Sequence, residues 1–282
     1  MANLHIQSNF DVAAKQYQQF AQIQKEIGKR LLERFDYYNI TPDKVLDLGA
    51  GPGCFSHQLK QLFRKSQVIA YDISWQMLTQ IKRKWRFPID RTVGCMQQLP
   101  FGNDVFDVIF ANQVIHWADD PKQLFAEISR VLKPGGVFVF STLGPDTFQE
   151  IRQAWLEIDD HSHVNQFTDM HLYGDAMSKA NMSDPVVDME YITMRYDSVN
   201  EIARDLKAQG VQHTGQHAKR GLTTPRQWRQ FQKNYEKCRD QDNKLPLTYE
   251  VIYGQAWGKA TQSDQSKAEI VVPISQLRRK HP

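Results

Sequence analysis

The chain has 282 residues, 41% of them hydrophobic, with a formal net charge of +3. That is ample for one large domain or a core with an elaborate cap, and with no run of about 18 apolar residues no membrane-spanning helix is expected. The mild charge argues against a dedicated nucleic-acid binder, the first residues lack a basic-then-apolar leader pattern, and three distant cysteines, Cys54, Cys95 and Cys238, fit a reducing, cytoplasmic setting without metal spacing.

From about Asp11 to Phe35, Tyr17, Phe20, Ile27, Leu31 and Phe35 recur at helical spacing. Periodicity alone reads Tyr17 as a packing aromatic. Pro42 breaks the chain before Val45-Leu46-Asp47-Leu48-Gly49-Ala50-Gly51-Pro52-Gly53, an apolar run leading into three glycines at alternate positions. A helical pattern follows from Phe55, so the stretch reads as strand, tight turn, helix. Its glycines allow a sharp turn and close approach of a ligand to the main chain.

Asp72 ends the next apolar run, Val68 to Tyr71, where a carboxylate can accept both hydroxyls of a ribose. Asp47, just before the glycines, would repel a pyrophosphate at the helix N-terminus. It tolerates a ligand with an amino-acid tail, whose ammonium it can take directly or through water. The combination resembles the S-adenosylmethionine (SAM) signature of class I methyltransferases. The plain alternative is an ordinary strand–turn–helix of some other α/β protein.

Strands near 44–49, 67–72, 90–95, 105–111 and 136–142 alternate with helices, which predicts an α/β, Rossmann-like, mostly parallel sheet covered on both faces. Ser74 is placed to cap a helix carrying Met77, Leu78, Ile81 and Trp85. Asn112 and Gln113 lie at the carboxyl end of the fourth strand, where such sheets bind ligands. His116 next to Trp117 reads more simply as a packed or capping histidine than as a general base. Pro121 opens a further helix. Another holds Phe148, Ile151 and Trp155.

His161, His163 and His171 follow in polar sequence without a thiolate pair or compact carboxylate spacing, so a loop or cap is expected and no metal. Strands near 186–196 and 247–257 complete a seven-stranded sheet. The roughly fifty residues between them are too many for a hairpin and read as an inserted cap. Ser198 caps its first helix, with Val199, Ile202, Ala203 and Leu206 inward; Arg204 and Lys207 lie off that stripe. The second starts at Pro225 and sets Arg226, Arg229, Lys233 and Lys237 opposite Trp228, Phe231 and Tyr235. A cationic stripe with no acid on its line suggests an acidic partner.

The expected organisation is an N-terminal helical segment at 1–40 over the active site and a SAM-binding core at 41–197 and 246–258. An inserted helical cap fills 198–245, and a tail runs over 259–282.

Taken together, the chain resembles malonyl-acyl-carrier-protein O-methyltransferases, the BioC family of biotin synthesis, within the class I SAM-dependent superfamily. The general methyltransferase part is Val45 to Ser141. The more specific parts are Ala14-x-x-Tyr17 with Gln24, His163-x-Asn165-x-Phe167, Arg204-x-Leu206-Lys207-x-x-Gly210 and Pro246-Leu247-Thr248-Tyr249. The resemblance implies SAM held by Asp47, Gly49, Gly51, Asp72, Ile73, the Met96–Gln97 turn and Asn112. It implies Tyr17 and Arg204 as the catalytic pair at the substrate, with Gln113 beside them, and malonyl-loaded acyl carrier protein as the partner. The family's usual acids in the adenine turn are replaced here by Cys95 and Gln97. A quinone or phenol methyltransferase, or a non-catalytic assembly protein on the same fold, are the alternatives.

Overall fold

Short runs of β-branched and aromatic residues bounded by Pro, Asp and Gly become β1 (Lys44–Leu48), β2 (Gln67–Asp72), β3 (Asp90–Val93) and β4 (Phe106–Asn112). Longer runs form β5 (Leu132–Leu143), β6 (Ser183–Tyr196) and β7 (Leu245–Trp257). The computed structural model describes residues 21–82, 87–208 and 223–259, with Gln7, Ser8, Phe10, Asp11 and Ala14. Tyr17, Trp85, Gly210 and residues 260–282, all part of the sequence expectations, lie outside them.

Among the described residues the strands make one sheet in the order β3-β2-β1-β4-β5-β7-β6. Neighbours from β3 to β5 pair in parallel, and β7 is antiparallel to both β5 and β6. Side-chain alternation splits each central strand between two apolar layers. Val45, Val108, Phe110 and Val139 face one layer, whereas Leu46, Leu48, Ile109 and Phe138 face the other. A fully buried Leu, Val or Phe stabilises by about 1.5–3 kcal/mol, so double coverage makes these strands the strongest part of the core.

The first layer is covered by α1 (Gln22–Glu33), α2 (Cys54–Leu62), α5 (Gln149–Leu156), α7 (Val199–Ala208) and α8 (Pro225–Tyr235). The second is covered by α4 (Pro121–Val131) and α6 (Met170–Lys179), and the short α3 (Trp75–Thr79) sits by β2 and β3. Caps fix where these helices begin. Asp120 accepts from Lys122 N ahead of Pro121, Ser74 Oγ accepts from Met77 N, and Thr224 forms a capping box with Gln227.

Three local expectations are corrected. The helix after Ser74 stops at Thr79, and Ile81 packs into the core from the chain beyond it. Phe148 does not lie within a helix: it holds a left-handed φ of 63° just before α5. The last helix of the insertion ends at Tyr235, so Lys237 stands on a following 3-10 turn.

The insertion is pinned to the core. Phe231 stacks on Trp155 at 4.8 Å, Trp155 stacks on His163 at 3.7 Å, and Asn234 donates to Ala154 O. At the opposite flank Arg30 and Arg34 of the N-terminal helical stretch pair with Glu190 and Asp188 on the edge strand.

Candidate active site

Leu48, Asp72 and Asn112 end three adjacent parallel strands, and their carboxyl ends open on a cleft of about 700 Å³. The glycine turn closes one side. Gly49 N and Ala50 N both donate to Tyr71 O, folding the turn back over β2. Gly49 has φ +73°, and a Cβ there would lie 2.4 Å from Val114 Cγ2. Gly51 has φ +52° and nothing within 4 Å of a Cβ, so its bare backbone faces the open cleft.

Asp72 Oδ2 accepts from Gly51 N at 2.8 Å and Oδ1 from Ser74 N at 2.8 Å. Burial pushes its carboxyl up to about 6, against the lowering effect of these backbone donors, with nearby Asp11 adding to the rise. Each oxygen keeps a lone pair for a further donor.

Asp47 is placed differently from its neighbours. Alternation along β1 turns it to the same face as Val45, toward α2, where Ser56 Oγ donates to it at 2.5 Å. It is 2% exposed and lines neither cavity described here. Burial raises its carboxyl to about 7, with the Asp72 charge adding to it.

Gly94, Cys95 and Met96 form the opposite wall, propped by Tyr71, whose hydroxyl donates to Cys95 O at 2.9 Å. Gln97, at 8% exposure, lies behind this wall. Phe10 and Trp117 meet edge-to-face at 5.5 Å and cover the cleft's end.

A second cavity of about 450 Å³ adjoins the first, sharing Phe10, Gln113 and Trp117. Ile23, Ile27, Leu143 and Phe148 give it apolar walls; Gln24, Gln113, His116 and Tyr249 give it polar ones. Gln113 holds a left-handed φ of 56°, an uncommon conformation for a residue with a side chain. Ser141 fixes it there: its Oγ accepts from Gln113 N at 3.1 Å and donates to Asn112 Oδ1 at 2.8 Å. Asn112 Nδ2 donates to Gln24 O, which ties the start of α1 to the strand ends.

His116 Nδ1 lies 3.2 Å from Thr142 Oγ1, and its ring meets Trp117 and Phe167. Desolvation alone drives its imidazole down to about 3, so it is uncharged at neutral pH.

Of the residues expected at the cofactor, Gly49, Gly51, Asp72, Ile73, Met96 and Asn112 line the first cavity, whereas Asp47 and Gln97 sit behind it. Of those expected at the substrate, Gln113 lines both cavities. Arg204 is exposed on α7 and lines neither, and Tyr17 lies outside the described residues. Arg226, Arg229, Lys233 and Lys237 are all exposed, and Lys237 pairs at 3.5 Å with Glu157 at the end of α5. Periodicity did not reveal Phe10, Tyr71, Trp117, Leu143, Phe148 or Tyr249 as cavity walls, because each reads as ordinary core.

Residues 46–140 match the family model described as a methyltransferase domain. The chain is 41% identical over 280 residues, covering 99% of both chains, to a malonyl-[acyl-carrier protein] O-methyltransferase of Legionella pneumophila. It is 39% identical over 93% of both chains to the protein of that name from Gallionella capsiferriformans. Its fold superposes with a TM-score of 0.53 and 16% identity on Haemonchus contortus phosphoethanolamine N-methyltransferase 2 in complex with S-adenosyl-L-methionine, covering 88% of this chain and 57% of that one. With near-complete coverage at this identity, on a sheet whose strand ends open into two joined cavities, this chain belongs to the malonyl-[acyl-carrier protein] O-methyltransferase family.

Proposed function

We propose that this protein transfers a methyl group from SAM to the free carboxylate of a malonyl thioester carried by acyl carrier protein. The product is the methyl ester that primes pimeloyl and biotin synthesis. The observation that carries this reading is 41% identity across 99% of the chain to a relative named for that reaction.

The first cavity suits SAM. Asp72 offers spare acceptor capacity for ribose hydroxyls, Gly51 leaves room against the backbone, and Leu48, Ile73 and Met96 give apolar surface for a heteroaromatic ring. When bound, SAM supplies an electrophilic methyl group on a sulfonium.

The protein's share of the work is placement and exclusion of water. A malonyl carboxylate is ionised at pH 7 and needs no general base, in keeping with a pocket whose one histidine among the described residues is pushed down to about 3, too weak a base for that role. Gln113, Phe10 and Trp117, common to both cavities, bring donor and acceptor to reacting distance, and the apolar walls of the second cavity shed solvent.

Arg204, on a helix packed over the cluster that includes Phe148 and Tyr249, is proposed to orient the carboxylate on entry, with Tyr17 closing the pocket. A guanidinium pairs with the acid and loses its partner once the neutral ester forms, which favours product release. Arg226, Arg229 and Lys233 are proposed as the docking face for the acidic carrier, with Lys237 partly engaged by Glu157. No nucleic acid or membrane takes part in this reading. On its cysteine usage the reaction is cytoplasmic.

The test is transfer of labelled methyl from SAM to malonyl-, acetyl- and succinyl-carrier protein and to malonyl-coenzyme A. Labelling of the malonyl carrier and not of the acetyl carrier is expected. No labelling of any thioester, with SAM bound, would overturn the reading in favour of a quinone or phenol acceptor. Failure to bind SAM would favour a non-catalytic role.

A further inference from the structure

His116 borders the second cavity directly beside Trp117, which lines both cavities, so its ring stands near the junction where an acceptor atom meets the methyl donor. His116 is half-buried by area and lines the second cavity, in surroundings that strongly desolvate its ring. Its Nδ1 edge is engaged by Thr142 Oγ1 at 3.2 Å. Thr142 is fully buried, and its hydroxyl lies 3.5 Å from Tyr173 OH. Tyr173 is itself buried and kept protonated by desolvation. Thr142 Oγ1 is shared between Nδ1 and Tyr173 OH, which also bonds Thr168; with Thr142 donating to Nδ1, the imidazole proton is on Nε2, the ring nitrogen without a protein partner among the described residues. Ring contacts to Trp117 and Phe167 fix the imidazole plane. No charged side chain among the described residues contributes to the imidazole's titration.

We propose that His116 is a substrate-contacting residue that donates its Nε2 proton to the non-attacking oxygen of the substrate's acyl carboxylate, with Thr142 and Tyr173 as positioning residues that set its tautomer. This deepens the carboxylate reading and rests on it. The chemistry favours an uncharged donor at this point. A cation pressed against the nucleophile would lower its electron density, whereas an uncharged N–H donor brings no net charge to the carboxylate and leaves the second oxygen free to attack. The oxygen it holds becomes the ester carbonyl and still accepts the bond. The contact therefore persists through the reaction and contributes to binding rather than to the chemical step.

The expected kinetic signature follows. His116→Phe removes the donor while keeping a ring in the aromatic cluster, and should raise KM for the malonyl thioester about tenfold with kcat within about threefold and SAM affinity unchanged. His116→Gln, which restores an N–H donor, should recover most of that loss. Thr142→Val, which frees the tautomer, should raise KM by a smaller factor. Imidazole ¹⁵N shifts of the wild-type protein should show an Nε2-protonated, uncharged ring throughout pH 5–9; this reading does not depend on any variant folding.

A wild-type enzyme that methylates the malonyl thioester, paired with a His116→Phe enzyme of unchanged KM, would overturn the inference alone. So would a ring found protonated on Nδ1 or charged at pH 6. A wild-type enzyme that labels no thioester would instead sink the parent reading, which keeps the two failures apart.

Discussion

At the residue scale, two carboxylates on neighbouring strands, Asp47 buried and Asp72 half-buried, behave oppositely toward the cleft. Asp72 faces it, with its carboxyl pushed up to about 6 by burial. Its ionised form is the better acceptor, so SAM affinity should fall as pH drops below about 6. Asp72→Asn should weaken SAM binding about 10- to 100-fold and flatten that pH dependence, as read by calorimetric titration from pH 5 to 8. An unchanged pH profile in the variant would remove Asp72 from the binding site.

Asp47 faces α2, and its folded-state value near 7 lies above the about 3.9 of an unfolded chain. The native state therefore takes up a proton more readily than the unfolded one. The stability this confers is complete below about pH 4 and is lost as pH rises toward 7. Asp47→Asn can still accept from Ser56. Its melting temperature should rise relative to wild type across that window in the cofactor-free protein, and a constant offset would contradict this origin.

At the scale of elements, the glycine turn and α8 make contrasting demands. Gly49 combines a left-handed backbone with contact to Val114, so a methyl group there must both strain the turn and push a packed side chain. Gly49→Ala should reduce SAM binding at least tenfold while the protein stays folded, measured by titration beside circular dichroism. In α8 the stakes are packing and capping. Thr224→Ala removes the capping box and should cost about 1 kcal/mol in urea denaturation. Trp155→Ala, which empties the stack between His163 and Phe231, should cost about 3–5 kcal/mol. Equal losses for the two would mean that α8 is not anchored through Trp155.

On the scale of the whole molecule, the exposed Arg229 and Lys233 lie on a helix whose opposite face is buried against α5. Reversing both charges should raise KM for the carrier-bound substrate about tenfold at low salt, with the difference shrinking at high salt and little change for malonyl-coenzyme A. Equal effects on both thioesters would place the damage in the pocket instead of on a docking face.

Much of this was legible in the amino-acid sequence, and the parts that were have a common cause. The strands, the glycine turn, Asp72, the Ser74 and Pro225 helix starts and the insertion between the last two strands all follow from local rules: apolar period, glycine freedom, proline placement and capping. Those rules act within a few residues of chain, so one sequence carries them. Tertiary structure decided the rest. Only strand alternation against a real neighbour turns Asp47 to Ser56, and only the register of β4 against β5 brings Ser141 under Gln113. Only the return of β7 between β5 and β6 sets Tyr249 on the wall of a cavity whose other residues come from α1, the loop after β4, the end of β5, the turn before α5 and Phe10. A cavity wall and a buried core position present the same residue types along the chain; what separates them is empty space, which exists only once distant segments have met.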